Sequence, residues 1–264
     1  MMHHKLELLR DIIRGCGSLA VAFSGGVDST FLLYVAHEVL GDRAIAVTSV
    51  TTVFPRREKD EASDFCAGHG IRQVIVEFDE LEVPGFADNP PDRCYLCKKA
   101  LFTKMISVCR AEGIDHIAEG SNTDDDGDYR PGLKAIAELG VSSPLREAGL
   151  TKNEIRELSR EFGLPTWDKP SYACLASRFP YYHKITADKL AMVEKAEDYL
   201  ISAGFRQVRV RVHGDVARIE VPVECMETVL RSREDIVSAL QGFGFLYVSL
   251  DLGGYKTGSL NKGL

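Results

Sequence analysis

A chain of 264 residues, 45% hydrophobic and 27% charged, has apolar material for a sizeable core and is too mixed for a disordered or fibrous protein. Its formal charge of −7 disfavours a broad polyanion-binding surface, and seven cysteines over this length do not make a disulfide framework. No apolar run approaches the roughly 20 residues of a membrane span, and the opening residues lack a signal-peptide pattern, so a cytoplasmic protein without membrane contacts is expected.

The short apolar run from Ser18 to Phe23 suits a buried parallel strand. Helical spacing of Phe31, Leu32, Val35, Ala36 and Val39 follows, closed by Gly41, and a second strand is predicted at Ala44 to Val50. The alternation continues with a helix around Arg56 to His69, a strand at Gln73 to Phe78, a helix from Cys97 to Glu112 and a strand at Asp115 to Glu119. Strands separated by helices indicate βαβ units, and the expected fold is an α/β doubly wound, mainly parallel sheet. From Trp167 to Tyr182, two prolines and a cluster of aromatics break the periodicity, as in a functional connector. A helix at Ala187 to Ala203, strands at Gln207 to Val212 and Val216 to Val221, a helix near Cys225 to Leu240 and a strand at Phe245 to Leu250 then describe a smaller C-terminal α+β domain. The expected division is residues 1–166, a connector at 167–184, and residues 185–264.

Ser24-Gly25-Gly26-Val27-Asp28-Ser29 lies between the first strand and the first helix, where backbone amides meet the positive end of a helix dipole. The glycines permit close approach to phosphate, Ser24 and Ser29 add donors, and Asp28 suits a Mg2+ ion bridging phosphates. The segment lacks the Gly-Lys-Ser/Thr of a phosphoryl-transferring P-loop and the spaced glycines of a dinucleotide fold. It resembles the PP-loop ATP pyrophosphatase superfamily, whose members split ATP between the α and β phosphates and place AMP on a substrate oxygen. That resemblance spans roughly the first 180 residues, and it implies a nucleotide site completed by Gly120 and Asn122 of Glu119-Gly120-Ser121-Asn122-Thr123-Asp124-Asp125 and by Asp128 and Arg130 of Asp128-Tyr129-Arg130-Pro131-Gly132. The aspartates do not form an EF-hand, because Gly127 is misplaced after Asp124 and no bidentate glutamate follows at the required spacing.

Cys94 and Cys97 form a Cys-x-x-Cys flanked by Arg93, Lys98 and Lys99, a setting that favours thiolate. Alone, the pair is ambiguous among half a zinc site, a redox pair, an iron–sulfur ligand pair and two packing thiols. A third cysteine stands in Ser171-Tyr172-Ala173-Cys174-Leu175-Ala176-Ser177-Arg178, so three sulfurs could converge. Together with Asn89-Pro90-Pro91-Asp92-Arg93-Cys94, this connector resembles the LarE-type sulfur transferases that mature the nickel-pincer cofactor of lactate racemase, a match covering nearly the whole chain. The resemblance implies adenylation of a carboxylate on a pyridinium dicarboxylate mononucleotide, followed by conversion to a thiocarboxylate. The three-cysteine pattern implies a 4Fe-4S cluster on Cys94, Cys97 and Cys174 fed by sulfide or a persulfide; the alternatives are a sacrificial Cys174 and a zinc site completed by His183. Cys16, Cys66, Cys109 and Cys225 are read as packing residues.

Arg209 and Arg211 alternate with Val208, Val210 and Val212, so both guanidinium groups leave one strand face. A symmetric hairpin at His213-Gly214-Asp215-Val216 sets Arg211 against Arg218 and Arg209 against Glu220, and a substrate phosphate could relieve the opposed arginines. With the resemblance, Arg178 joins Arg209 and Arg211 at that phosphate, Glu197 and Glu220 match acidic residues with a metal-binding role, and a homo-oligomer of up to six copies is implied. A tRNA-thiolating PP-loop enzyme is disfavoured by the acidic balance, and so is nucleic acid as a partner. An amidating ligase would need an ammonia source, and a non-catalytic adenine-nucleotide module would bind without releasing pyrophosphate.

Overall fold

The computed structural model describes residues 2–125, 131–170 and 173–256. The chain divides into two compact units, one formed by Met1–Asp79 with Cys94–Tyr172 and the other by Glu80–Arg93 with Ala173–Leu264.

In the first unit, α1 (Met2–Cys16) precedes β1 (Leu19–Ala22), α2 (Val27–Leu40), β2 (Ala44–Val50), α3 (Arg56–Gly68), β3 (Gln73–Glu77), α4 (Arg93–Ala111) and β4 (Ile117–Ala118). The short helices α5 (Pro131–Glu138) and α6 (Pro144–Glu147) and the longer α7 (Lys152–Glu161) complete it. All strand pairs are parallel, in the order β3-β2-β1-β4, and Ser142 extends the edge by a bridge to Ala118. Because strand residues alternate between faces, Leu19, Val21, Ala44 and Ala46 pack into a core with α1, α2 and α7, while Ala20, Ile45 and Val47 pack with Leu101, Phe102 and Met105 of α4. Apolar cores on both faces make this the expected doubly wound α/β sheet.

Four helices of this unit are not anticipated by the periodicity: α1, α5, α6 and α7. The first buries Leu6, Leu9 and Ile13, a stripe at helical spacing among charged residues. The last, α7, opens on a capping box in which Thr151 accepts from the Glu154 amide at 3.3 Å and the Glu154 carboxylate accepts from the Thr151 amide at 2.9 Å, worth about 1 kcal/mol of helix stability.

In the second unit, α8 (Ala187–Ser202) is followed by β5 (Arg209–His213), β6 (Val216–Glu220), α9 (Met226–Arg231), α10 (Arg233–Gly242) and β7 (Tyr247–Leu250). β5 and β6 form an antiparallel hairpin and β7 joins β6 in parallel. The single helix expected near Cys225 to Leu240 is two, because Ser232 ends α9 by donating to the Thr228 carbonyl and starts α10 by accepting from the Ile236 amide.

The segment 80–93 groups with the second unit, unlike the continuous 1–166 domain expected from the sequence. Asn89 explains this: fully buried and at φ 55°, it donates from Nδ2 to the carbonyls of Phe179 (3.3 Å) and Pro180 (2.7 Å), while its own carbonyl accepts from the Tyr182 amide. Arg93 donates to the Asn89 side chain and to the Ala176 carbonyl, and the Ile185 amide donates to Ala87. Buried amides and guanidinium groups must be hydrogen-bonded, and residues 176–185 supply partners for both Asn89 and Arg93.

Among the described residues, no helix is long and apolar enough to cross a membrane.

Candidate active site

The strand order places β2 and β3 on one side of β1 and β4 on the other, so the chain reverses direction of winding at β1. The crevice beyond the carboxyl ends of β1 and β4 is therefore the switch point where α/β sheets bind ligands. The Ser24–Ser29 loop leaves β1 there and enters α2 with Gly26 as its first cap, and the Glu119–Asp125 segment leaves β4 beside it.

The loop is held by its own hydroxyls. Ser29 Oγ accepts from the Ser24 amide at 3.4 Å and donates to the Gly26 carbonyl at 3.2 Å, and the two serine hydroxyls are 3.2 Å apart. Gly25 has φ +70°, and a Cβ there would fall 3.3 Å from both Ala62 Cβ and the Glu58 carbonyl, so α3 closes its underside. Gly120 permits a second close approach: a Cβ on it would lie 3.1 Å from the Ser29 amide nitrogen and 3.3 Å from Asp28 Cβ. Glycine at both positions lets the loop pack closely on α3 beneath it and on the segment after β4 beside it, the close backbone approach that a phosphate cradle requires.

Asp28 lies in the first turn of α2, with Asn122 Nδ2 donating to one carboxylate oxygen at 3.3 Å and Lys152 Nζ paired with the other. Asn122 is itself fixed, its amide donating to Asp125 and its carbonyl oxygen accepting from the Asp124 amide. Buried Glu119 anchors the segment by accepting from the Ser121 amide, the Ser121 hydroxyl and the Ser143 hydroxyl, at 3.1, 2.8 and 2.6 Å. A carboxylate poised between a cation and an amide at a helix N-terminus is chemically suited to a Mg2+ ion beside phosphates. Asp128 and Arg130 lie outside the described residues. Gly132, which follows them, would bring a Cβ within 2.7 Å of the Lys98 side chain and 3.4 Å of the Cys94 carbonyl, so α5 approaches the cysteine-bearing turn of α4 closely.

Cys94 is exposed and Cys97 half-buried in that turn, three residues apart and hence on one helix face. Cys174, in the second unit, is half-buried. Burial pushes the Cys66 and Cys109 thiols up to about 11 and raises Cys16 as well, which keeps these three protonated.

In the second unit the hairpin register sets Arg211 opposite Arg218 and Arg209 opposite Glu220, as the alternation predicts. A protein carboxylate relieves the opposed arginines: Glu220 Oε2 accepts from Arg211 at 3.0 and 2.9 Å, and Oε1 from Arg218 at 2.8 Å. The opposition therefore needs no external anion. Arg178, expected at a substrate phosphate, is 1% exposed, grips Glu197 through Nε and Nη2 at 2.8 and 2.7 Å, and donates from Nη1 to the Ala173 and Cys174 carbonyls and the Ser177 hydroxyl. Its donors are spent inside the protein on the backbone that carries Cys174. Glu197 and Glu220, expected as metal ligands, are likewise engaged by arginines, and within neither unit do the described residues gather three His, Cys, Asp or Glu in a metal-holding group. Arg209 is 3% exposed, donates to the Val208 carbonyl and stacks 5.3 Å from the Tyr255 ring, and burial, then Arg178, pulls its pKa down. Arg178, Arg209, Arg211 and Arg218 thus stand in one cluster with Glu197, Glu220 and the edge carboxylate of Asp251.

No family model matches the chain. It is 39% identical over 257 residues to a pyridinium-3,5-bisthiocarboxylic acid mononucleotide synthase of Lactiplantibacillus plantarum, covering 97% of this chain and 92% of that protein. The chain belongs to this synthase family. An uncharacterised protein of Synechocystis is 42% identical over 264 residues, 99% and 98% of the two chains. A glutamine-hydrolysing GMP synthase component of Thermoplasma volcanium is 28% identical over 182 residues, 62% of this chain and 58% of that one. These relatives identify the chain as an ATP-dependent enzyme with a PP-loop α/β unit, which excludes the non-catalytic nucleotide module.

Two residues of this family member carry no mark in the sequence. Lys152 and Lys169 both reach the Ser24–Ser29 loop from more than a hundred residues away, Lys152 to Asp28 and Lys169 to the Gly25 carbonyl at 3.0 Å. A lone lysine in a polar helix turn or before a proline gives no local signal, and only the fold joins it to the loop.

Proposed function

We propose that the protein is an ATP-dependent sulfur transferase acting in the cytoplasm, converting carboxylates of pyridinium biscarboxylic acid mononucleotide into thiocarboxylates. Supporting the reading most directly is the Asp28–Lys152–Asn122 junction at the mouth of α2, in a chain similar over 97% of its length to a synthase named for that product.

The α2 amides and the Ser24 and Ser29 hydroxyls grip the β and γ phosphates of ATP, and Lys152 offsets their charge. Asp28 would hold Mg2+, whose charge neutralises the departing pyrophosphate when bound. Gly120 and Asn122 line the nucleotide side. A substrate carboxylate oxygen attacks the α phosphorus, the bond to the β-phosphate bridge breaks, and pyrophosphate leaves. A sulfur nucleophile then attacks the acyl carbon and AMP departs with the bonding electrons. Arg209 and Arg211 hold the mononucleotide phosphate, a role that suits guanidinium groups. Arg178 acts differently, fixing the backbone of Cys174.

Cys94, Cys97 and Cys174 deliver the sulfur. Cysteine sulfurs are the ligand type that binds iron, and these three would hold a 4Fe-4S cluster, which when bound supplies an open iron for sulfide or persulfide. The chain works as a homo-oligomer, up to a hexamer.

Anaerobic purification followed by iron and sulfide analysis and turnover counting tests the sulfur route. Iron with repeated turnover supports the cluster; one sulfur per chain without iron assigns the sulfur to a sacrificed Cys174. Cys174→Ser is expected to stop thiocarboxylate formation while pyrophosphate release continues. Normal thiocarboxylate production by that variant would refute the cysteine assignment.

A further inference from the structure

Lys169 sits at the end of the first unit's chain, just before Pro170, with its side chain 11% exposed. Its ammonium group has three N–H bonds and meets three acceptors: the Gly25 carbonyl at 3.0 Å, Glu58 Oε2 at 2.8 Å and Glu61 Oε2 at 2.5 Å. Glu58 and Glu61 belong to α3, the helix that closes the underside of Gly25. The contact therefore lies on the side of the loop away from the phosphate cradle.

Gly25 is at φ +70° and is followed by another glycine, so this peptide has the least intrinsic reason to keep one orientation. A trans peptide points its N–H opposite to its C=O. A cation held on the Gly25 oxygen consequently turns the Gly26 N–H away from α3 and toward the open side of the loop.

We propose that Lys169 is a positioning residue for ATP: it locks the Gly25–Gly26 peptide so that the Gly26 amide is ready for phosphate before the nucleotide arrives. This deepens the proposed function and rests on its placement of the triphosphate at this loop. Preorganised donors bind more tightly because their ordering is already complete. Lys169 also lies five residues before Cys174, so the grip on the phosphate loop and the sulfur-bearing segment share one stretch of backbone.

The test is calorimetric titration with α,β-methylene-ATP and Mg2+, which needs no turnover and no pyridinium substrate. Lys169→Met is expected to bind about ten- to a hundredfold more weakly, the range for losing a charged hydrogen bond. Because the single variant strands buried Glu58 and could unfold, Lys169→Met/Glu58→Gln is measured beside it. The double variant should fold and remain as weak as the single one. Affinity within twofold of the parent in either variant would overturn the proposal, since Lys169 would then serve only its carboxylate partners. Failure of the parent itself to bind the analogue would instead remove the nucleotide site on which the inference stands, and the inference with it.

Discussion

Replacing Arg178 by methionine separates an internal clamp from a ligand contact. The guanidinium is 1% exposed and its partner Glu197 4% exposed, so removing one partner leaves a buried carboxylate that keeps the Val210 amide at 2.9 Å and the charge of Arg209 nearby. Breaking a buried pair in this way costs about 3–5 kcal/mol, and the surviving amide bond puts the expectation near the lower end. At about 2–4 °C per kcal/mol for a chain of this size, Arg178→Met should lower the melting temperature by about 6–12 °C. Arg178→Met/Glu197→Leu removes both charges and should recover most of that loss, because a well-packed apolar pair can replace a buried ion pair. Thermal unfolding followed by circular dichroism gives the comparison. The recovered double variant should still release pyrophosphate but make thiocarboxylate poorly, since the Ala173 and Cys174 carbonyls have lost their donor. A single variant melting within 2 °C of the parent would refute this reasoning, as would a double variant no more stable than the single.

Gly120→Ala drives a methyl group against the Ser29 amide and Asp28, and the backbone must yield; α,β-methylene-ATP should bind about tenfold or more weakly while stability falls by only about 1–3 kcal/mol. Unchanged affinity in a calorimetric titration would show that the close approach is idle. His213 is held below the ordinary histidine value by burial first, then by Arg218 and His183. As pH falls below about 6.5 the unfolded chain takes up a proton at this residue before the folded one does, so stability should drop with falling pH there. His213→Gln should flatten that slope in chemical denaturation at several pH values, and an unaltered slope would assign it to other groups.

The parallel sheet is readable because its strands are apolar runs between helical periods, and β2 falls on the residues predicted, Ala44–Val50. The phosphate loop is readable for a similar reason: six contiguous residues carry the signal. The hairpin register follows from strict alternation around Gly214, but what lies between the arginines does not. Whether Arg211 meets a phosphate or Glu220 depends on side-chain direction, which residue spacing alone leaves open. Arg178 shows the same limit more strongly, since its five acceptors are two local carbonyls, the Ser177 hydroxyl and the carboxylate of Glu197, nineteen residues on. α1 escapes because charged residues give it a low mean hydropathy, and its buried Leu6, Leu9 and Ile13 become meaningful only against α2 and α6.

Asn89 has a consequence for how the chain can be made or divided. The polypeptide passes from one compact unit to the other at residues 79/80, 93/94 and 172/173. A ribosome finishing the first 166 residues has already supplied the piece containing Asn89, yet the carbonyls that satisfy it at 179 and 180 have not been synthesised. That piece must wait, solvated, for the rest of the protein. No single cut yields two self-sufficient halves, and a truncation ending at Tyr172 would carry Asn89 and Arg93 with nothing to bury them.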